Sequence, residues 1–385
     1  MSYDRIAYGI GFREPPGPKD TYGGAEGAVF LEAHRLVPRD RASKTLIVMM
    51  HPIGGGAYLP MVTALARAGC HVVFCGSRYR GNDSALIMEK CAVDLGACIR
   101  HAREELGYER IVLGGWSGGG SLSLFYQAEA EHPSLTATPA GDPPDLTRAG
   151  LFPADAVLLL AAHASRATIF TESIDPSVVD ENDPGRRDPE FNLYSDANPH
   201  RPPYAKTYVA RYRDAQVARS RRITAWVRAR LEELRASGRG HHERGFVVHG
   251  TTADPRWLDP TLEPNGRKPG WCFLGDPAVA NDGPVGLGRF STLRSWLSQW
   301  SIDESRADGV ACAARISVPV LVIRNGADDA VPTSHPQRLF DAVPHLDKEL
   351  VEIAGAGHYY FGQPEKLAES VGHCLRWLGA HGLHR

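Results

Sequence analysis

The chain has 385 residues, with 45 acidic and 43 basic side chains and a formal net charge of −2. So even a balance points away from nucleic acid and anionic membrane surfaces, and no apolar run nears the ~20 residues of a bilayer span. The length exceeds one minimal domain and suits a large α/β domain carrying an insertion. In chain order, short apolar runs predict strands at 27–37, 45–51, 71–77, 110–116, 155–162, 318–324 and 348–353. Helices are expected near 59–69, 85–106, 119–131, 335–343 and 364–379. The clearest is 85–106, where Met88, Cys91, Leu95, Cys98, Ile99, Ala102 and Leu106 form one stripe.

The strand at 110–116 runs into Gly115-Trp116-Ser117-Gly118-Gly119, with a helical pattern behind it. Glycines at 115 and 119 let strand and helix close around a sharp turn. Such a turn holds a serine out at the carboxyl edge of a sheet, and the helix start offers N–H groups to a developing oxyanion. A nucleophilic serine needs a base and an orienting acid. Downstream, the strand at 318–324 ends in a turn carrying Asp328 and Asp329, and the strand at 348–353 ends in Gly355-Ala356-Gly357-His358. Serine, acid and histidine in this order, each on a loop after a strand, follow the logic of a Ser–His–Asp triad.

These segments resemble the α/β-hydrolases. Two more match: the Gly-rich loop at His51-Pro52-Ile53-Gly54, and Arg80-Gly81-Asn82-Asp83-Ser84 after the next strand. The resemblance covers roughly residues 45–130 and 316–380. It implies a mostly parallel, doubly wound α/β sheet with a mainly helical cap inserted after the sixth strand. The core would be 1–164 and 315–385, and the cap 165–314. It also implies Ser117 as nucleophile and His358 as base. In the family turn the acid stands four residues before the proline, which from Pro332 gives Asp328. Counting forward from Gly326 gives Asp329. The Val-Pro side also fixes where the next helix begins, which favours Asp328 and leaves Asp329 as the alternative. Oxyanion donors are expected at Gly118 and in the loop after His51. There Pro52 stands where the family usually has glycine and has no N–H, so Ile53 is the expected donor and Gly54 the next. His51 itself reads as structural, tying the loop to a neighbouring backbone.

Between 165 and 314 the pattern changes. Residues 175–203 read as loop, 204–236 as a long helix, 238–290 as a Pro- and Gly-dense segment, and 291–300 as another helix. Aromatics concentrate here, most of them reading as a small core. Basic residues outnumber acids over 201–244, a pattern more usual in a solvated helix face than in a carboxylate site. His163, Tyr359 and Gln363 are candidates for a pocket wall. The seven cysteines (Cys70, Cys75, Cys91, Cys98, Cys272, Cys312, Cys374) have no metal spacing and suit reduced thiols. His241-His242 reads as an exposed loop pair. No cofactor or metal is expected, and triad chemistry needs none. The N-terminus lacks a basic segment leading into an apolar one, so a cytoplasmic protein is expected.

The expectation is therefore a serine hydrolase that cleaves a carboxylic ester of a small, apolar or aromatic molecule. No nucleic-acid or membrane partner is expected, and a homodimer is compatible with the sequence. The same triad could serve an acyltransferase of the homoserine-acetyltransferase type, or an amide or C–C bond hydrolase.

Overall fold

The computed structural model describes residues 1–15, 19, 21 and 27–384. Its centre is an eight-stranded sheet. In spatial order the strands are β1 (Tyr3–Arg13), β2 (Ala28–Pro38), β4 (Val72–Cys75), β3 (Thr45–Met49), β5 (Arg110–Trp116), β6 (Ala156–Leu160), β9 (Val320–Asn325) and β10 (Lys348–Ile353). β2 runs antiparallel to both β1 and β4, and every other pairing is parallel. This order, wound on both faces, is the α/β-hydrolase fold.

The central strands read as unbroken apolar runs because helices cover both faces. Leu46, Val48, Ile111 and Leu113 face α2 (Met88–Glu104), α3 (Gly118–Glu131), α9 (Gly309–Ala313) and α10 (Ser334–Ala342). Ile47, Met49, Val112 and Leu158 face α1 (Pro60–Arg67) and α11 (Pro364–Ala380). The core helices fall within three residues of their expected limits. β1 was not foreseen. It contains two glycines and leaves Ile6 exposed; an eleven-residue pairing with β2 forms it, and Tyr8, Ile10 and Phe12 turn one side to the core.

Residues 161–319 separate β6 from β9. They carry α4 (Arg166–Thr171), α5 (Lys206–Ala236), α6 (Pro255–Leu258), α7 (Pro277–Asn281), α8 (Leu293–Ser295), and a two-stranded ribbon of β7 (Gly245–Val247) with β8 (Phe290–Thr292). Phe170, Trp296 and Trp300 form an apolar centre with Ile223, Val227 and Leu231 of α5, while Tyr204, Tyr208 and Tyr212 pack with Leu193. Trp226, Trp271 and Phe290 remain substantially exposed and lie outside that core. The helix expected over 291–300 is a strand end, one α turn and a π-helical turn, Trp296–Trp300. The wide turn buries both tryptophans while Ser298 and Gln299 reach Glu89 and Arg166. Among the described residues no helix is long and apolar enough to cross a membrane.

Candidate active site

The turn between β5 and α3 holds Ser117 at φ 52° and ψ −122°, a region that only tight surroundings impose on a residue with a side chain. Those surroundings are glycine contacts. A Cβ at Gly115 would come within 2.5 Å of the Gly120 Cα, and one at Gly119 within 2.6 Å of the Met50 carbonyl oxygen. At Gly120 it would overlap the Ala162 methyl. The Ser117 amide donates to the Leu160 carbonyl at 3.1 Å, pinning the turn to the end of β6.

His358 and Asp328 meet in the buried interior at the ends of β10 and β9. The imidazole Nδ1 lies 2.9 Å from Asp328 Oδ2, and both side chains are about 2% exposed. The other carboxylate oxygen accepts the Ala330 and Val331 amides at 2.8 and 2.7 Å, so its direction is fixed. Asp329 plays a different part. Burial and the neighbouring Asp328 push its carboxyl upward, and its backbone oxygen accepts from Trp257 Nε1. Of the two adjacent acids, it is Asp328 that is bonded to the histidine.

The histidine loop is braced by residues the sequence gave little reason to select. Gln363 accepts from the Gly357 amide and donates to the Gly355 carbonyl, both at 2.8 Å, and so braces the loop. Asn325 donates to the Gly357 carbonyl and accepts from the Tyr360 hydroxyl. A ring row runs outward from the site: Trp116 lies 4.6 Å from His358 and 5.0 Å from Tyr359, which stacks on exposed Phe361. Among the described residues no hydrogen bond joins Ser117 to His358. Such bonds are often open before substrate binds.

The loop after His51 departs from expectation. The Ile53 amide points back into its own loop and donates to His51 Nδ1 at 3.3 Å, and the Gly54 amide closes a turn onto the His51 carbonyl at 2.8 Å. Both expected donors are thus engaged locally. The cause is the glycine-rich turn, which curls the chain back over the ring. Gly118, at the first position of α3, has no intrahelical acceptor for its amide. Beside it stand two further imidazoles: a Cβ at Gly118 would lie 2.8 Å from His51 Nε2 and 3.2 Å from His163 Nε2. Burial, then Arg166 and His358, lowers the His51 pKa to about 3. His163 is also held well below the usual range, first by burial and then by its charged neighbours, and its buried Nδ1 has no partner.

The insertion touches the acid turn directly. Asn265 donates to the Asp328 carbonyl at 3.1 Å, and the Gly266 amide donates to the Gly326 carbonyl at 2.8 Å. Behind these contacts, Arg256 is bonded to Asp254, Glu172 and Glu263. Glu172 also meets His335 of α10 at 2.8 Å, and that ring accepts from the Ala164 amide. Burial opposes ionisation of Glu172, yet Arg256 and His335 hold its carboxyl well below the usual range. Basic residues of α5 are largely matched: Arg213 with Asp254, Arg219 with Glu181, Arg221 with Asp303 and Arg228 with Glu304. Little of that charge is left to greet an anionic substrate. All seven cysteines are buried and unpaired, and His241 and His242 are exposed.

No family model and no curated protein matches the chain. Among solved structures it is similar to Est1E from Butyrivibrio proteoclasticus, at 13% identity and a TM-score of 0.47 over 91% of this chain and 96% of that one. It is also similar to the monoacylglycerol lipase of Paleococcus ferrophilus, at 16% and 0.45 over 99% and 100%. A third is the esterase domain of a Rhodothermus marinus protein, at 13% and 0.46 over 98% of each. Likenesses this distant add nothing to what the strand order already establishes.

Proposed function

We propose that the chain is a serine hydrolase that cleaves a carboxylic ester of a small, apolar or aromatic molecule. Ser117 Oγ attacks the carbonyl carbon while His358 Nε2 takes its proton, and Asp328 holds the imidazole through Nδ1 and stabilises the imidazolium. The tetrahedral intermediate collapses by breaking the C–O bond, and His358 returns the proton to the departing alcohol. Water then repeats the sequence on the acyl-enzyme and releases the acid and free Ser117. The insertion, 165–314, acts as a cap over this site.

The observation that carries the reading is the buried Asp328–His358 pair, packed on the Trp116 ring, together with the next residue, a serine held at positive φ by glycine contacts. Trp116 and Tyr359 next to the histidine support an apolar or aromatic substrate. The test is stopped-flow release of p-nitrophenol from acetate, butyrate and octanoate esters, with Ser117→Ala alongside. A burst followed by steady turnover in the wild type alone is expected, and chain-length preference then sizes the pocket. A burst without turnover would instead mean acyl transfer to an absent acceptor. Equal slow release from both proteins would end the case for Ser117.

A further inference from the structure

We propose that the imidazole Nε2–H of His51 is the second donor to the oxyanion, acting with the backbone N–H of Gly118 in place of a loop amide. This rests on the reading of Ser117 as an acyl-transfer nucleophile. An oxyanion needs two or more preorganised donors that converge on one oxygen. Gly118 offers one, as the first amide of α3. The loop after His51 would ordinarily supply the other, but Pro52 has no N–H, and the Ile53 and Gly54 amides are turned onto His51 itself.

The imidazole Nε2 stands directly beside Gly118. A Cβ lies about 2.5 Å from its own backbone nitrogen. The 2.8 Å gap from that Cβ position to His51 Nε2 therefore bounds the separation of Gly118 N and His51 Nε2 at roughly 5.3 Å. Two donors sharing one acceptor at the usual ~2.9 Å stand no more than ~5.8 Å apart, so the separation is compatible with one shared oxygen. The glycine at 118 is what admits the ring, because any side chain there would meet Nε2.

Protonation agrees with the geometry. Because Nδ1 accepts from the Ile53 amide, it carries no proton in the neutral ring, and the single N–H is on Nε2. Burial and the nearby positive groups keep the ring neutral at ordinary pH. His51 is thus a fixed dipole donor that neither protonates the leaving group nor competes with His358 for the serine proton. His163 Nε2 faces the same space, but its Nδ1 has no partner to set the tautomer, so the role falls to His51.

The experiment compares kcat and KM for p-nitrophenyl acetate among wild type, His51→Leu, His51→Gln and Ser117→Ala. His51→Leu is expected to lose about 10²–10³-fold in kcat with little change in KM, the size seen for one missing oxyanion donor. His51→Gln, whose carboxamide N–H stands near Nε2, is expected to recover to within about tenfold of wild type. Should His51→Leu fail to fold, His51→Phe, whose ring keeps the aromatic volume without an N–H, is expected to bring the same loss in kcat. His51→Leu within threefold of wild type, or Leu and Gln variants equally impaired, would overturn the proposal while leaving the nucleophile intact. Activity retained in Ser117→Ala would remove the nucleophile reading, and this donor with it.

Discussion

The sheet side of the site and the insertion side are held by different physics. On the sheet side, position is set by backbone and by the absence of side chains: three glycines of the elbow each abut atoms that leave no room for a methyl group. The insertion side is held by paired charges. Arg219 and Arg256 are nearly sealed from solvent, yet Arg219 is bonded to Glu181 and to the Asp175 and His249 carbonyls, and Arg256 to the carboxylates of Asp254, Glu172 and Glu263. Glycine contacts leave little room for adjustment, which holds the strained serine in place. Ion pairs between long side chains hold only while every partner is present.

The largest expected effect lies where the two sides meet, at the acid turn. Asp328→Asn removes the charge that orients His358 and should lower kcat by about 10⁴-fold, whereas Asp329→Asn should cost less than about tenfold. Steady-state ester hydrolysis separates the two. Equal losses would mean that the pairing at 2.9 Å does not govern the chemistry.

Next in size is Arg256→Met, which takes from Glu172 its main cation and from Asp254 one of its two, in a buried setting. A loss of about 3–5 kcal/mol in urea unfolding is expected. A loss under ~1 kcal/mol would put this pair among surface bridges and dissolve the contrast drawn here.

The seam holds one buried acid with no base bonded to it. Glu89, at the start of α2, accepts from Ser298 through one oxygen and has no partner for the other. Burial pushes its carboxyl up to about 7, with the Ser298 hydroxyl pulling the other way. The folded state therefore binds the proton more tightly than the unfolded chain. The stability this group contributes is full below its unfolded pKa, near 4.5, and is lost as pH rises through about 7. Glu89→Gln should remove that dependence and raise stability at pH 8 by roughly 1–3 kcal/mol. Urea midpoints at pH 5 and pH 8 for both proteins check this, and an unchanged pH slope would contradict it.

An effect of similar size is expected at the elbow. Gly120→Ala forces a methyl into Ala162 and should cost about 1–3 kcal/mol by overpacking. Thermal unfolding measures it, and a neutral result would mean that the turn is looser than its contacts require.

The parts of this molecule legible in its sequence are those whose cause is local. β3, β5, β6 and β9 are apolar runs bounded by turns, and the α2 stripe repeats every three or four residues. Ser117, the acid turn and His358 stand directly after such strands, so their neighbourhood could be anticipated. What depends on distant partners could not. β1 exists by pairing with β2, and Trp296–Trp300 takes a π turn because its polar residues answer to α2 and α4. The curl of the loop onto His51, which engages the Ile53 and Gly54 amides, has no signature in composition. The Glu172–His335 contact joins residues 163 positions apart, beyond any local pattern.

The central claim, that Ser117 is a nucleophile activated by His358, is tested most directly by intact-mass and peptide mapping after treatment with a fluorophosphonate. A single adduct on the peptide containing Ser117 is expected, abolished in Ser117→Ala and strongly slowed in His358→Ala. An adduct on another residue, or one on Ser117 that forms as fast without His358, would contradict the account.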